Sequence, residues 1–158
     1  MYMPHTFLVL DNIRSAYNVG AILRTADAAG VEAVYCCGTT PMPTDRFGRK
    51  RADIAKTALG AEETVETVYY NTARACVQEL QKQGVAVVAV EQTEHSVLYT
   101  AHTVEQNTAL VFGDEVRGVS KDVLDICNTH IEIPMHGEKE SLNVSVAVGV
   151  VLYGLQKR

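Results

Sequence analysis

The feature that most limits what this chain can fold into is a series of short, almost unbroken apolar runs separated by helical patterns. Phe7 to Leu10, Val31 to Cys37, Val85 to Val90, Ala109 to Phe112 and His130 to Ile133 are rich in β-branched residues and lack strict polar alternation. A strand with one wet face alternates, whereas a strand covered on both faces stays apolar throughout, as in a parallel sheet between two helical layers. Helical patterns lie between the runs. Asn18 to Ala29 places Ile22, Leu23, Ala26 and Ala29 on one face and stops at Gly30, and Thr72 to Gln83 turns Val77 and Leu80 inward before Gly84. Ser120 precedes a short capped helix holding Val123, Leu124 and Ile126, and Leu142 to Gln156 forms a last, strongly apolar helix. The alternation predicts an α/β domain with a mainly parallel sheet flanked by helices.

The 158 residues suit one domain, read as 1–158 with no separate extension. No apolar run reaches the roughly 20 residues that span a bilayer, and the start, Met-Tyr-Met-Pro-His, lacks the regions of a signal peptide. A cytoplasmic protein without membrane contact is expected. The four cysteines, with Cys36 and Cys37 adjacent and Cys76 and Cys127 alone, form no CxxC pair and read as small buried residues in a reducing compartment. The five histidines show no ligand spacing either, so no metal is expected. A net charge of −5 speaks against nucleic-acid binding through bulk charge alone. One local concentration stands out, Arg46, Arg49, Lys50 and Arg51, which on charge alone reads as a solvated loop.

In an open parallel sheet the ligand lies beyond the carboxyl ends of the strands, so the informative residues follow them directly. Three polar, glycine-bearing segments do so: DNIRSAYNVG from Asp11, GDEVRG from Gly113 and PMHG from Pro134. They are expected to converge at one edge. A dinucleotide-binding Rossmann domain is the first reading that pattern alone suggests, but no G-x-G-x-x-G follows a strand here.

Longer stretches around these loops carry a resemblance. DNIRSAYNVGAILRTADAAGV from Asp11, ALVFGDEVRGVS from Ala109 and IPMHGEKESLNVSVAVGVVLY from Ile133 resemble, in order, the three signatures of the SpoU (TrmH-like) RNA 2'-O-ribose methyltransferases of the SPOUT superfamily. Asp114 departs from the usual Asn of the second signature. The resemblance implies an α/β fold closed by a C-terminal deep trefoil knot, S-adenosyl-L-methionine (SAM) as cofactor, and methyl transfer to a ribose 2'-hydroxyl of a structured RNA, tRNA or rRNA. By position it implies Asn18, Arg24, Glu115, Ser141 and Asn143 as catalytic residues. Val90, Gln92, Gly113, Ile133, Met135, Ser141 and Leu142 would hold the cofactor. It also implies RNA contacts by Arg14, Arg46, Arg49, Lys50 and Arg51, and a homodimer through the C-terminal helix.

A guanidinium stays protonated at ordinary pH. Arg24 is therefore expected to orient the target phosphate and stabilise the developing alkoxide rather than to accept a proton, with Glu115 and Asn18 holding it in place. Two other readings stand beside this one. The first is a catalytically inactive RNA-binding or assembly factor with the same fold, against which the joint presence of Asn18, Arg24, Glu115, Ser141 and Asn143 speaks. The second is the nucleotide-binding Rossmann-like protein already described.

Overall fold

The computed structural model describes residues 3–156; of the domain read as 1–158, residues 1, 2, 157 and 158 lie outside the described residues. The chain runs β1 (Thr6–Asp11), α1 (Ala16–Ala29), β2 (Ala33–Cys37), α2 (Ala52–Ala58), α3 (Ala61–Thr64), β3 (Glu66–Tyr70), α4 (Ala73–Lys82), β4 (Ala86–Val90) and β5 (Val97–Leu98). A 3-10 turn (Tyr99–Ala101), β6 (Thr108–Gly113), α5 (Lys121–Leu124), β7 (Thr129–Glu132) and α6 (Val144–Leu155) complete it.

The strands form one seven-stranded sheet in the order β3-β2-β1-β6-β4-β7-β5, and its strand pairs are parallel. Successive side chains on the central strands feed opposite layers, which is why both must be apolar. Leu8 and Leu10 of β1, with Leu110 and Phe112 of β6, pack against Ile22, Leu23 and Ala26 of α1 and Val148 and Val151 of α6. Val9, Ala109 and Val111 face the other way, onto Cys76, Val77 and Leu80 of α4 and Val123 of α5. Burying each of these large side chains stabilises the fold by about 1.5–3 kcal/mol before conformational entropy is set against it. The cysteines are all free, with Cys36, Cys37 and Cys76 buried in these layers.

Several boundaries differ from expectation, each for a local reason. Helix α1 starts at Ala16 rather than Asn18, because the Ser15 side chain accepts the Asn18 N–H at 3.2 Å and so caps the helix two residues earlier. Ser120 stands at the N-cap position of α5 but makes no cap bond, since its hydroxyl donates to Asp11 Oδ2 at 2.7 Å instead. Helix α6 begins at Val144 rather than Leu142, because Asn143 Oδ1 takes the Ser145 N–H at 2.9 Å. Ser141, Leu142 and Asn143 are thereby left on the loop, facing the sheet edge. The edge strands β3 and β5 and the short helices α2 and α3 were not expected; they are half-exposed and carry no continuous apolar run. No helix of the described residues is long and apolar enough to cross a membrane.

Candidate functional site

Because the strands are parallel, their carboxyl ends share one edge, and the segments following β1, β4, β6 and β7 meet there. Between the last three lies a cavity of about 220 Å³. Val90, Gln92, Gly113, Ile133, Met135, Ser141 and Leu142, expected to act together, all line it. Gly113 has no room for a side chain: a Cβ there would lie 2.1 Å from the Gly118 carbonyl carbon and 2.3 Å from the Val119 nitrogen. The strand end and the following loop therefore touch backbone to backbone. Gly118 adopts a φ of +68°, and a Cβ there would meet Glu91 Oε2 at 2.2 Å. Glu91 Oε2 instead accepts the Val119 N–H at 2.9 Å, tying the end of β4 to the loop after β6.

The lining is charged in one sense. Glu91, Asp114, Glu115 and Glu132 present carboxylates against the single guanidinium of Arg117. Of these, only Glu115 had been singled out from the sequence as a site residue. Asp114, the departure from the family pattern, folds its Oδ1 back onto the Val116 and Arg117 N–H groups at 2.8 and 2.7 Å. An asparagine Oδ1 accepts in the same way, which is why the exchange leaves the loop intact.

At the rim a polar chain joins the three motif segments. Asn143 Nδ2 donates to Asn18 Oδ1 at 3.3 Å, Asn18 Nδ2 donates to Glu115 Oε1 at 3.2 Å, and the Val144 N–H reaches the same Oε1 at 3.4 Å. Three of the five expected catalytic residues, Asn18, Glu115 and Asn143, thus gather here, and Ser141 on the cavity wall is a fourth. Arg24 does not join them. It lines a separate groove with Tyr17, Lys56 and Tyr153, and its side chain makes no hydrogen bond or ion pair among the described residues. The expectation that Glu115 and Asn18 hold Arg24 is therefore corrected for the single chain. Six residues of helix turn Arg24 about 120° away from Asn18 around α1.

A further contact was missed. Asp11, 3% exposed at the end of β1, accepts both the Ser120 N–H at 2.9 Å and the Ser120 hydroxyl at 2.7 Å. A carboxylate closing an apolar run was the available signal, because a buried charge needs partners.

The basic loop is less free than its sequence suggests. Arg49 pairs with Asp45 at 2.9 Å, Arg51 with Asp53 at 2.7 Å, and Lys50 with Glu63. The Arg49 and Phe47 backbone N–H groups and the Arg49 side chain hold the Asp45 carboxyl below its ordinary range, and Lys50 does the same for Glu63. All these pairs are solvent-exposed and weak enough to be exchanged for other anions. Arg46 has no acid partner among the described residues and lies over the Phe47 ring, 4.8 Å from its centroid. Arg14 is exposed on the loop between β1 and α1. Among the described residues no group of three or more His, Cys, Asp or Glu side chains could hold a metal.

The sequence profile of the SpoU rRNA Methylase family matches residues 5–153, nearly the whole chain. The chain belongs to this family. It is 40% identical over 150 residues to the 23S rRNA (guanosine-2'-O-)-methyltransferase RlmB of Ralstonia nicotianae, covering 95% of this chain and 57% of that protein. It thus spans a little over half the length of the curated relatives it matches. Among solved structures, a TrmH/SpoU tRNA modifying enzyme from A. aeolicus superposes with a TM-score of 0.83 at 29% identity, covering 97% of this chain and 74% of that one. An AdoMet-bound rRNA methyltransferase from Sinorhizobium meliloti superposes at 0.85 with 26% identity, covering 98% and 60%. The seven-stranded parallel sheet flanked by helices thus matches the fold of both structures.

Proposed function

We propose that this chain is a methyltransferase domain that moves the methyl group of SAM to a ribose 2'-hydroxyl of structured RNA, with ribosomal RNA as the first substrate class to test. The observation that carries the proposal is the meeting of the segments after β4, β6 and β7 around one cavity, to whose rim the first motif is joined by the Asn18–Glu115–Asn143 chain. The relative acting on 23S rRNA and the AdoMet-bound neighbour agree with it. On this reading the protein works in the cytoplasm.

SAM supplies a methyl group already activated by a positive sulfonium. The protein's task is then to hold two atoms in line, which contributes about 7–11 kcal/mol, against roughly 3–5 kcal/mol for a general base. The cavity suits that task. Its carboxylates favour a cationic ligand and lose that attraction once the sulfur becomes neutral, so the spent cofactor is held less tightly. Backbone groups around Gly113, Ile133 and Leu142 allow the close approach that a nucleoside needs.

Arg24 enters through a second copy. On α6, Val146 and Tyr153 are 51% and 53% exposed, Leu142 just before the helix is 36% exposed, and Tyr17 on α1 is 65% exposed. Tyr17 and Tyr153 line the Arg24 groove, Leu142 lines the cofactor cavity, and with Val146 they leave apolar surface without a partner among the described residues. Pairing this face with itself about a two-fold axis buries it and carries each Arg24 toward the partner's cavity, whose wall includes Leu142 and Ala147. There the guanidinium orients the target phosphate and stabilises the alkoxide. Arg14 and the Arg46, Arg49, Lys50 and Arg51 loop contact flanking phosphates. The same reading gives the C-terminal part a deep trefoil knot.

The test compares RNA from cells with and without the gene by nucleoside mass spectrometry, alongside calorimetric titration of the protein with SAM. Loss of one 2'-O-methyl mark and measurable SAM binding are expected. An unchanged set of marks together with no SAM binding overturns the proposal.

A further inference from the structure

Away from the cofactor cavity, a hollow of about 550 Å³ opens beside the carboxyl ends of β2 and β3. Its wall combines an aromatic ring, Tyr69, with two guanidiniums, Arg46 and Arg51, over a floor of Thr40 and Met42. Tyr69 is 45% exposed although it sits on a strand, and its hydroxyl donates to the Gly38 carbonyl at 2.9 Å. The ring is therefore fixed by its polar end and shows a face to solvent. Asp45 also borders the hollow, but its oxygens accept the Phe47 and Arg49 N–H groups at 2.8 and 3.0 Å and the Arg49 Nε at 2.9 Å. Arg46 has no acid partner among the described residues. Arg51 gives Asp53 only its Nε and one Nη2 bond.

We propose that this hollow is a subsite for a nucleotide flanking the methylated one, with its base against the Tyr69 ring and its phosphate between Arg46 and Arg51. The inference rests on the RNA reading given above. A fixed aromatic face beside one guanidinium without an acid partner among the described residues, Arg46, and one in an exposed ion pair, Arg51, is a combination that binds single-stranded nucleic acid without reading its sequence. The hollow opens on the same sheet edge as the cofactor cavity. From β3 to β6 is three strand steps, or about 14 Å, so the subsite takes a neighbour rather than the target itself.

The chain contains no Trp, so Tyr69→Trp installs a single reporter. An adenosine RNA pentamer is expected to quench its fluorescence, and a pentamer of abasic ribose phosphates is not. Tyr69→Leu and Arg46→Gln are expected to raise the KM for RNA about tenfold with kcat at saturation and SAM affinity retained. Equal quenching by both pentamers, or unchanged KM values in a wild-type protein that methylates RNA, overturns the subsite. Base-dependent quenching in a protein that transfers no methyl group supports the subsite and removes the catalytic reading. Should Tyr69→Leu fail to fold, the exposed Arg46→Gln variant and the tryptophan reporter decide the matter.

Discussion

Gly113 shows how much one missing methyl group does. With the Gly118 backbone 2.1 Å from where its Cβ would stand, Gly113→Ala must displace the loop that carries Glu115. The expected result is at least a tenfold loss of SAM affinity and a destabilisation of about 1–3 kcal/mol, read by calorimetry and urea unfolding. Asp114→Asn should behave oppositely, changing folding stability by no more than about 0.5 kcal/mol, because the amide oxygen keeps the bonds to Val116 and Arg117. Arg24 belongs to a third case. Its planar fork is what orients a phosphate, so Arg24→Lys is expected to lower kcat on the order of a hundredfold with SAM affinity intact. Near-normal turnover in that variant removes the bidentate role. The polar, glycine-bearing loops at the sheet edge were legible because they follow apolar strands, whereas the individual cofactor residues Val90, Gln92, Ser141 and Leu142 rested on the family resemblance, and Glu91 and Glu132 carried no signal in the sequence. The partnership of Arg24 was not, because it depends on where around α1 the side chain emerges and on what covers that face.

At the scale of elements, the sheet edge is fixed by a few cross-links between loops. The Asp11 carboxylate joins the end of β1 to the start of α5 through Ser120. Hydrogen bonds to a charged group each contribute about 1.5–3 kcal/mol, so Asp11→Ala should destabilise the fold by about 3 kcal/mol in urea unfolding. It should also weaken SAM binding, since the same loop forms the cavity wall. A stability change under 0.5 kcal/mol contradicts this assignment. The inner strands β2, β1, β6 and β4 were legible because burial on both faces leaves continuous apolar runs. Edge strand β3 mixes Glu66 and Thr67 with Tyr69 and Tyr70, and α2 buries only Ile54 and Ala58, so neither writes a clear period into the sequence. Helix boundaries moved for a related reason: Ser15 and Asn143 cap their helices through contacts of one residue each, which apolar periodicity does not register.

For the molecule as a whole, the buried thiols set its response to alkali. Burial pushes the Cys36 and Cys127 thiols up to about 12, so they stay neutral in the folded chain while unfolded thiols ionise near pH 8.5. The unfolded state then loses protons that the folded state keeps. Stability should fall above about pH 8 by up to roughly 1.4 kcal/mol per pH unit per thiol, which urea unfolding between pH 7 and 10 will show. Assembly has its own test. Mixing Arg24→Ala and Glu115→Ala chains and allowing them to exchange should restore about a quarter of wild-type activity, because half the dimers then hold one complete site. No recovery places Arg24 in the same chain as its cavity. The most direct trial of the central claim is to incubate the protein with SAM carrying a labelled methyl group and unmodified ribosomal RNA, then hydrolyse the product in alkali. A methyl on the ribose 2'-oxygen blocks cleavage at that linkage, so the label should appear in one alkali-resistant dinucleotide. Label recovered on a base, or none retained by the RNA, contradicts the account.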